Sequence, residues 1–368
     1  MKKNFQKVMK FSTTLLCILL AFSFISCKGN SSKKNSAEKI SIVTTVYPFY
    51  DWIKNVAGDK AEVTLLINSG TDLHSWQPGA KDIVKITENN TSLFVYGGGE
   101  SDFWVDRLIP QMEKNGVKYL SLMKENSTIL EPIGEHHHHH HHDGEAHDEH
   151  DHDEDHDEHA EHHHDEDHDE LADHDHDHDH DAEEHEHHDG DFDPDEYDEH
   201  IWLSLSRAPS FINSITESLC SIDPDNADYY KANAAAYCSK IRELESKAKD
   251  ACNVSDKTIV VADRNPFAYF TKDLGITCHA AFHGCSAETE ASFSVIVELA
   301  EELEHHKLSS IVITETGTPK IANTVIENSG RKDVKIYTLN ALQGKMPADK
   351  TYIDVMEENI NTLEQILK

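Results

Sequence analysis

The sequence predicts an α/β protein with two four-stranded parallel-sheet (βα)4 domains joined by a long linking helix. Short segments rich in Val, Ile and Tyr alternate with amphipathic segments of helical period, as one set in each half of the chain. Such alternation is typical of parallel sheets whose strands are connected by helical crossovers. A continuous helical pattern of about 25 residues, Asn226–Asp250, separates the two sets.

The predicted elements follow this alternation in order. In the first domain we expect strands at Ile40–Thr45, Glu62–Ile67, Ser92–Tyr96 and Lys118–Leu122, and helices at Phe49–Val56, Ala80–Thr87, Asp102–Lys114 and Ala208–Ser221. In the second we expect strands at Lys257–Ala262, Ile276–Phe282, Ser310–Thr314 and Val334–Leu339, and helices at Pro266–Asp273, Glu290–His306, Lys320–Asn328 and Tyr352–Leu367. Sites in open parallel sheets form outside the carboxyl ends of the strands, so two domains side by side would share a cleft there.

One acidic, histidine-rich insert, residues 135–199, interrupts the first domain. It holds 32 of the 69 acidic residues and 23 of the 29 histidines of the 368-residue chain, and no Lys or Arg. Most of the formal net charge of −36 therefore arises here. Because the insert lacks apolar periodicity, it is predicted to be disordered without metal. The predicted domains are then 40–134 continued by 200–222, a linking helix within 223–252, and 253–368.

The N-terminus is predicted to be an export signal. Four lysines within the first ten residues precede the apolar run Phe11–Ser26, which is too short to span a bilayer comfortably. The end of this run, Phe24-Ile25-Ser26-Cys27, resembles the lipobox of bacterial lipoproteins, whose Cys becomes the lipidated N-terminus. We therefore expect residues 1–26 to be removed and 27–39 to form a polar tether outside the cytoplasmic membrane, facing the periplasm or cell exterior. An uncleaved anchor and a non-lipidated signal are the alternatives.

Charge and motifs disfavour two classes of function. No basic stripe is present to neutralise phosphates, so no nucleic-acid partner is expected. Gly97-Gly98-Gly99 lacks the Gly-Lys-Ser/Thr of a nucleotide-binding loop, and no HExxH motif occurs. A binding protein is therefore predicted rather than an enzyme.

Two histidines stand out by their positions. His74 follows the second predicted strand, on a loop at the expected cleft. His200 ends the insert directly before Ile201-Trp202-Leu203, and by itself it cannot be told from the histidines that precede it. A lone loop histidine is more often a surface residue than a ligand, so position alone leaves both roles open.

Several sequence segments are informative as an ordered set. They are Thr44–Pro48, Gly70–Pro78 with His74, Ser92–Gly97 with Trp104, the His-rich stretch ending in His200–Leu203, Asp223–Asn226 with Tyr230 and Asn233, and Phe267–Phe270. Together they resemble the metal-binding solute-binding lipoproteins of ABC transporters, in particular the zinc-uptake branch. The resemblance covers nearly the whole chain after the signal. It implies two α/β domains around a rigid linking helix, with the metal bound in the interdomain cleft.

The resemblance identifies His74 and His200 with the family's first two metal ligands, but two further positions depart from the family. The third ligand, a His or Glu three residues before the Phe of Phe-x-Tyr-Phe, is Arg264 here, and a guanidinium cannot ligate a cation. The fourth, a late Asp after the last strand, corresponds to Asn340. Because tetrahedral Zn²⁺ takes three or four N, S or O donors, other residues must complete the site.

His283 and Glu315 are the predicted additional ligands. Each directly follows a predicted strand at its carboxyl end and should therefore point towards the cleft. Asp263, which also ends its strand, is an alternative. His283 could instead be an ordinary loop residue, and Asp263 or Glu315 could pair with Arg264.

No metal-binding role is predicted for the remaining histidines and cysteines outside the insert. His279, in the middle of a strand, is predicted to be a core histidine, and His305 and His306, at the end of a helix, are predicted to be solvated. Five cysteines follow Cys27 without any CxxC spacing, so buried free thiols are expected.

The predicted function is the capture of Zn²⁺, as a transported ligand, for an ABC permease in the cytoplasmic membrane. Imidazole suits Zn²⁺, Cu²⁺ and Ni²⁺, whereas Mn²⁺ prefers oxygen, although none of these ions is excluded. The insert would attract metal near the cleft, and a monomer is expected. The alternative is a surface metal store that acts through the insert and has a degenerate cleft. An adhesin role is left open.

Overall fold

The computed structural model of the chain describes residues 39–68, 73–88, 90–133, 193, 197–286, 290–343, 346 and 349–368. The predicted export signal with Cys27, and residues 135–192 and 194–196 of the insert, lie outside the described residues. Across the described ranges, no helix combines the length and apolarity needed to cross a membrane. All five cysteines of these ranges are free thiols, and three of them are buried.

The N-terminal lobe is a four-stranded parallel sheet covered by helices. Its strands are β1 (Ile40–Thr44), β2 (Ala61–Leu65), β3 (Thr91–Tyr96) and β4 (Lys118–Ser121), in the order β2-β1-β3-β4. Its helices are α1 (Tyr47–Ala57), α2 (Ala80–Thr87), α3 (Ile109–Asn115), α4 (Leu122–Glu125) and α5 (Ala208–Ile222). Because helices cover the sheet, the central strands are mostly apolar and buried, with Ile42 and Phe94 both 0% exposed.

The helix predicted over 102–114 is divided into two pieces. A 3-10 helix, Glu100–Val105, follows β3, and α3 begins only at Ile109. Pro110 lies in the first turn of α3, where its missing N–H costs nothing, and it would break a helix continued through it. The first piece is therefore free to turn back towards the carboxyl end of the sheet.

A single long helix, α6 (Ala227–Ala251), links the two lobes as predicted. Its buried positions recur with helical period and include Tyr230, Tyr237 and Leu244. The Tyr237 hydroxyl donates a hydrogen bond of 2.6 Å to the buried carboxylate of Asp51 on α1. These contacts fix the linking helix on the N-terminal lobe.

The C-terminal lobe repeats the topology of the first. Strands β5 (Thr258–Asn265), β6 (Thr277–His283), β7 (Ser310–Thr314) and β8 (Lys335–Leu339) are parallel in the order β6-β5-β7-β8. Helices α7 (Ala268–Leu274), α8 (Phe293–His305), α9 (Lys320–Asn328) and α10 (Tyr352–Ile366) follow in turn. The predicted fold class, two four-stranded parallel sheets joined by a long helix, is confirmed.

The predicted insert, residues 135–199, extends too far at its carboxyl end. Asp198 and Glu199 are 5% and 3% exposed and belong to the folded lobe. The Asp198 N–H donates to the Glu131 carbonyl (2.9 Å), and the Tyr269 hydroxyl accepts from the Glu131 N–H (3.0 Å) and donates to the Asp198 carbonyl (2.9 Å). Backbone pairing with the preceding segment therefore orders these acids, although their composition matches the insert.

Candidate metal centre between the two sheets

His74 lies on the loop after β2, within the short 3-10 helix Leu73–Ser75. Its side chain is 11% exposed, and its Nδ1 lies 3.0 Å from Glu199 Oε1 and 3.1 Å from Ser101 Oγ. Ser101, on the loop after β3, donates to the Glu199 carboxylate from its hydroxyl (2.6 Å) and its backbone N–H (3.0 Å). The Nδ1 edge of His74 is therefore held on a buried, hydrogen-bonded carboxylate.

His200 is fully buried and is held in the same way. Its Nδ1 lies 2.7 Å from Asp198 Oδ1, which also accepts the His200 backbone N–H at 2.7 Å. The ring packs edge-on against Trp202, with centroids 5.4 Å apart. A Cβ added at Gly284 would lie 2.9 Å from His200 Cε1, so only glycine lets the chain after β6 pass this close to the ring.

The two imidazoles face each other across a short gap, with ring centroids 5.3 Å apart. A carboxylate at Nδ1 favours the tautomer that carries its proton there, which leaves the Nε2 lone pair available for a ligand. This carboxylate–histidine arrangement is the usual outer shell of a metal-ligating histidine. In both rings the Nε2 lone pair is therefore available to bind a metal ion.

Gln343, on the loop after β8, reaches the same point from the C-terminal lobe. Its Nε2 lies 3.2 Å from His74 Nε2 and 2.5 Å from His200 Nε2, and the residue is 7% exposed. A half-turn of the carboxamide exchanges its oxygen and nitrogen and brings Oε1 to face both rings. The structure thus gathers two imidazoles and one amide around one point.

Glu315 positions the loop that carries Gln343. Its carboxylate accepts the backbone N–H of Ala341 (2.7 Å) and of Gln343 (3.0 Å). The Trp202 indole donates to the Ala341 carbonyl at 2.8 Å. The loop is therefore held both by its own lobe and by the segment that carries His200.

Two buried acids, Asp198 and Glu199, and one thiol lie beside the histidines. Burial alone raises the pKa of Glu199, but the hydrogen bond with His74 and the nearby His200 and Ser101 outweigh it, so the pKa lies below its ordinary value. The Cys285 thiol lies within 4.8 Å of His74 and Glu199, and burial together with Glu199 and Asp198 raises its pKa far above the ordinary value. The thiol is therefore neutral at neutral pH and the Glu199 carboxylate is charged.

The structure brings together only some of the predicted ligands. His74 and His200 are adjacent, whereas Glu315 uses its carboxylate on backbone N–H groups. His283 is the last residue of β6 and is exposed, and among the described residues it belongs to no group of three ligand-type side chains within 4.8 Å. Asp263 accepts from the Thr314 hydroxyl at 2.7 Å, which ties β5 to β7.

Arg264 and Asn340, which occupy the family's third and fourth ligand positions, have different surroundings. Arg264 lines a cavity of about 570 Å³ together with His74, Trp104, Arg107 and Cys285. Asn340 does not enter the centre, because its Oδ1 accepts the Leu342 N–H (2.8 Å) and turns the loop. Gln343, three residues later, takes the position facing the histidines.

Sequence reasoning missed Gln343, Asp198, Glu199 and Ser101. The two acids stand next to His200 in sequence, but they are hidden in a run of acids of the same composition. Gln343 follows the end of a predicted strand, and this position could have identified it. It was missed because glutamine is not among the common zinc ligands. Nothing in the local sequence of Ser101 separates it from an ordinary turn serine.

The fold and this centre define a class of two-lobed, helix-linked proteins with metal-ligand-type side chains gathered between two parallel sheets. The sequence pattern of the ZnuA family, described as zinc-uptake complex component A, periplasmic, matches residues 42–366. The chain belongs to this family, and the resemblance deduced from its segments is confirmed.

Individual relatives agree with this assignment. The zinc-binding lipoprotein AdcA of Streptococcus pneumoniae is 30% identical over 363 residues, which cover 97% of this chain and 61% of AdcA. The high-affinity zinc uptake system protein ZnuA of Bacillus subtilis is 29% identical over 359 residues, which cover 96% of this chain and 97% of that protein. The crystal structure of the Zn(II)-bound ZnuA-like domain of S. pneumoniae AdcA superposes with a TM-score of 0.63 at 28% identity, covering 89% of this chain and 99% of that domain. The chain spans 61% of the length of AdcA.

Proposed function

We propose that this protein binds Zn²⁺ outside the cytoplasm as a transported ligand and delivers it to an ABC permease. The observation that carries this proposal is the pair His74 and His200, whose Nδ1 atoms face carboxylates and whose Nε2 atoms face one point. Neutral imidazole nitrogen is a preferred Zn²⁺ donor. The zinc named for AdcA and ZnuA supports this ion, while Cu²⁺ and Ni²⁺ would suit the same donors.

The proposed ligand set is His74 Nε2, His200 Nε2 and the Gln343 carboxamide oxygen. The sequence-based candidates, His283 and Glu315, stay predictions for a fourth position, which water could also fill. For Glu315 to bind the ion, it would have to exchange its two backbone hydrogen bonds for the metal. Because all three proposed donors are neutral, the ion would keep its charge and be released more easily to a permease.

Export and anchoring belong to the same proposal. A lipid on Cys27 would hold the protein at the outer face of the cytoplasmic membrane, where the permease opens. The AdcA of Streptococcus pneumoniae is described as a lipoprotein, which supports this location. The acidic, histidine-rich insert would raise the local concentration of cations beside His200 and pass them to the cleft.

A surface metal store is the second candidate function. Arg264 lines the cavity beside His74 and places a positive charge where a cation would enter, which favours a weak cleft site. In that case the many imidazoles of the insert would bind the metal. Stoichiometry separates the two functions, because a transport component needs one tight cleft site and a store needs only many weak sites.

The test is zinc calorimetry on a protein lacking residues 135–192. The structure sets this boundary, since a longer deletion would remove the carboxylates of Asp198 and Glu199 that hold the histidines. His74→Ala and His200→Ala are compared with the unsubstituted protein. His305→Ala, on a helix of the C-terminal lobe, is the matched control.

One tight site that either cleft substitution removes, and that His305→Ala retains, is the expected result. Absence of a tight site in the shortened protein would overturn the transport proposal and favour the store. A tight site that survives both cleft substitutions would show that the zinc binds elsewhere.

A further inference from the structure

The C-terminal lobe carries a second group of metal-ligand-type side chains, on the edge strand of its sheet and away from the carboxyl end of that strand. His279 is the third residue of the edge strand β6, and Glu302 and His306 lie at the end of α8. The cleft centre lies outside the carboxyl ends of the strands, and four residues of parallel strand span about 13 Å. His279 therefore stands about that far along β6 from His283, well away from the cleft histidines.

The prediction that His279 is a core residue is wrong. Its side chain is 28% exposed and reaches Glu302 on α8. Glu302 and His306 are each 25% exposed, and their i, i+4 spacing places both on one face of the helix. The three side chains are thus held by packed secondary structure and stay accessible to an ion.

The donor atoms of this triad have the spacing of a shared coordination sphere. Glu302 Oε2 lies 3.5 Å from His279 Nε2 and 3.5 Å from His306 Nε2. All three donor atoms lie within 4.8 Å of one another. Donors bound at about 2.1 Å around a tetrahedral Zn²⁺ stand about 3.4 Å apart, so small side-chain movements would place one ion between the three.

His306 also has an outer-shell partner. Its Nδ1 lies 3.4 Å from Asp256 Oδ2, and the Thr258 hydroxyl donates to the other oxygen of that carboxylate at 2.9 Å. A carboxylate at Nδ1 directs the Nε2 lone pair towards Glu302, as in the carboxylate–histidine pairs of metal sites. The same arrangement recurs here on residues unrelated to the cleft.

We propose that His279, Glu302 and His306 bind one divalent cation of the zinc, copper or nickel type, with water in the remaining position. Two imidazole nitrogens and one carboxylate oxygen are a donor set that Zn²⁺ uses when one position stays open. The alternative is that Glu302 only forms ion pairs with the two histidines, which requires both rings to be protonated. The ring centroids of His279 and His306 are 6.3 Å apart, so two positive charges there would repel each other. A bound cation instead uses neutral rings and satisfies all three donors.

The test is residue-resolved histidine modification of the full chain. Diethyl pyrocarbonate carbethoxylates accessible neutral imidazoles, and peptide mass spectrometry reports each histidine separately, so the histidines of the insert do not obscure the result. Added Zn²⁺ should slow modification of His279 and His306 severalfold. Glu302→Ala should abolish this protection, and Asp256→Asn should weaken zinc affinity at the triad by about 10–100-fold.

The matched control is His305→Gln. His305 adjoins His306, with ring centroids 4.7 Å apart, but it is not part of the triad, so its substitution should leave the protection intact. Protection that persists in Glu302→Ala, or modification that Zn²⁺ does not slow, would overturn the proposal. Anomalous diffraction from zinc-saturated crystals of the full chain should show a peak about 2.0–2.2 Å from the three donor atoms. A map without that peak would also overturn it.

Discussion

Each histidine of the candidate metal centre contacts one buried carboxylate through Nδ1. The imidazoles of His74 and His200 are oriented by carboxylates, and Gln343 contributes an uncharged amide between them. A carboxylate at that position would bind a cation more strongly, because it adds a full negative charge in a buried setting. The identity of residue 343 should therefore set zinc affinity.

Gln343→Glu is expected to tighten zinc binding by about tenfold or more, equivalent to about 1.4 kcal/mol. Chelator competition on the protein lacking residues 135–192 measures the change. Gln77→Glu is the matched control, because Gln77 is exposed on the wall of the cavity beside His74 and adds the same charge there. Equal tightening by both substitutions would mean that general charge, and not coordination by residue 343, controls affinity.

Asp102 is a second residue whose charge state affects this region. Its Oδ2 accepts the N–H of Gly97 (2.9 Å) and of Gly98 (3.1 Å), while its buried Oδ1 has no hydrogen-bond partner among the described residues. Burial, together with Glu199, raises the pKa of Asp102 to about 7 in spite of those two hydrogen bonds. The folded protein therefore retains a proton that the unfolded chain loses near pH 4.

The raised pKa of Asp102 predicts that stability falls as pH rises from about 4 to 7 and then levels, because the native state binds more protons in that window. Asp102→Asn keeps the shape and one acceptor oxygen but cannot ionise. It should reduce the fall in the free energy of unfolding over that window by on the order of 1–4 kcal/mol. Urea unfolding of zinc-free protein at a series of pH values measures this.

The control is Asp59→Asn, at an exposed position of a short 3-10 helix, which should leave the pH dependence of the free energy of unfolding unchanged. The prediction would be contradicted if the wild type and Asp102→Asn showed the same pH dependence.

Among the secondary-structure elements, the loops at the carboxyl ends of the strands supply the residues of the candidate metal centre. The loops after β2, β3 and β8 supply His74, Ser101 and Gln343, and the turn after β6 passes directly beneath His200. That turn depends on Gly284, since an added Cβ would lie 2.9 Å from the Asn265 carbonyl oxygen and 2.9 Å from His200 Cε1. Both contacts are closer than ordinary packing allows.

Gly284→Ala is expected to displace the His200 ring and thereby weaken zinc binding by about tenfold or more. The crowding should also lower the free energy of unfolding by about 1–3 kcal/mol. Calorimetry and urea unfolding measure the two effects. Gly79→Ala is the control, because its Cβ would approach only Asp82 Oδ2, at 3.6 Å. Unchanged zinc affinity in Gly284→Ala would show that the turn does not support the position of His200.

In the molecule as a whole, a long acidic, histidine-rich segment precedes the candidate metal centre directly in the sequence. The segment ends only a few residues before Asp198 and His200, and hydrogen bonds to Glu131 and Tyr269 hold its carboxyl-terminal junction. On the proposed function, cations bound by the insert would be held close to His200 in the sequence. The advantage of such an insert should be largest when the ion is scarce.

Removing residues 135–192 is expected to slow growth at limiting zinc and to leave growth unchanged at ample zinc. Zinc uptake by cells that depend on this protein measures the effect. A Gly/Ser linker of the same length is the control for spacing and should behave like the deletion. Equal uptake by wild type and deletion at limiting zinc would contradict a scavenging role.

Much of the fold was predictable because its signals are local. Alternating strand and helix patterns predicted both sheets and the long helix α6, since apolar periodicity depends only on neighbouring residues. The division of the helix predicted over 102–114 was missed, although Pro110 marks it. The boundary of the insert was missed because Asp198 and Glu199 share its composition and are ordered only by hydrogen bonds with residues distant in sequence.

Local sequence signals were sufficient to predict the two-sheet architecture, the acidic, histidine-rich insert and His74 as a candidate ligand. Which residues meet depends on tertiary packing: loops from both sheets bring His74 and Gln343 to His200, and packing of α8 on β6 brings His306 to His279. No local pattern records contacts between segments so far apart in the chain. Local periodicity determines which face of an element is buried, whereas coordination requires donor atoms placed within a few ångströms, and strand order and loop conformation together set that spacing.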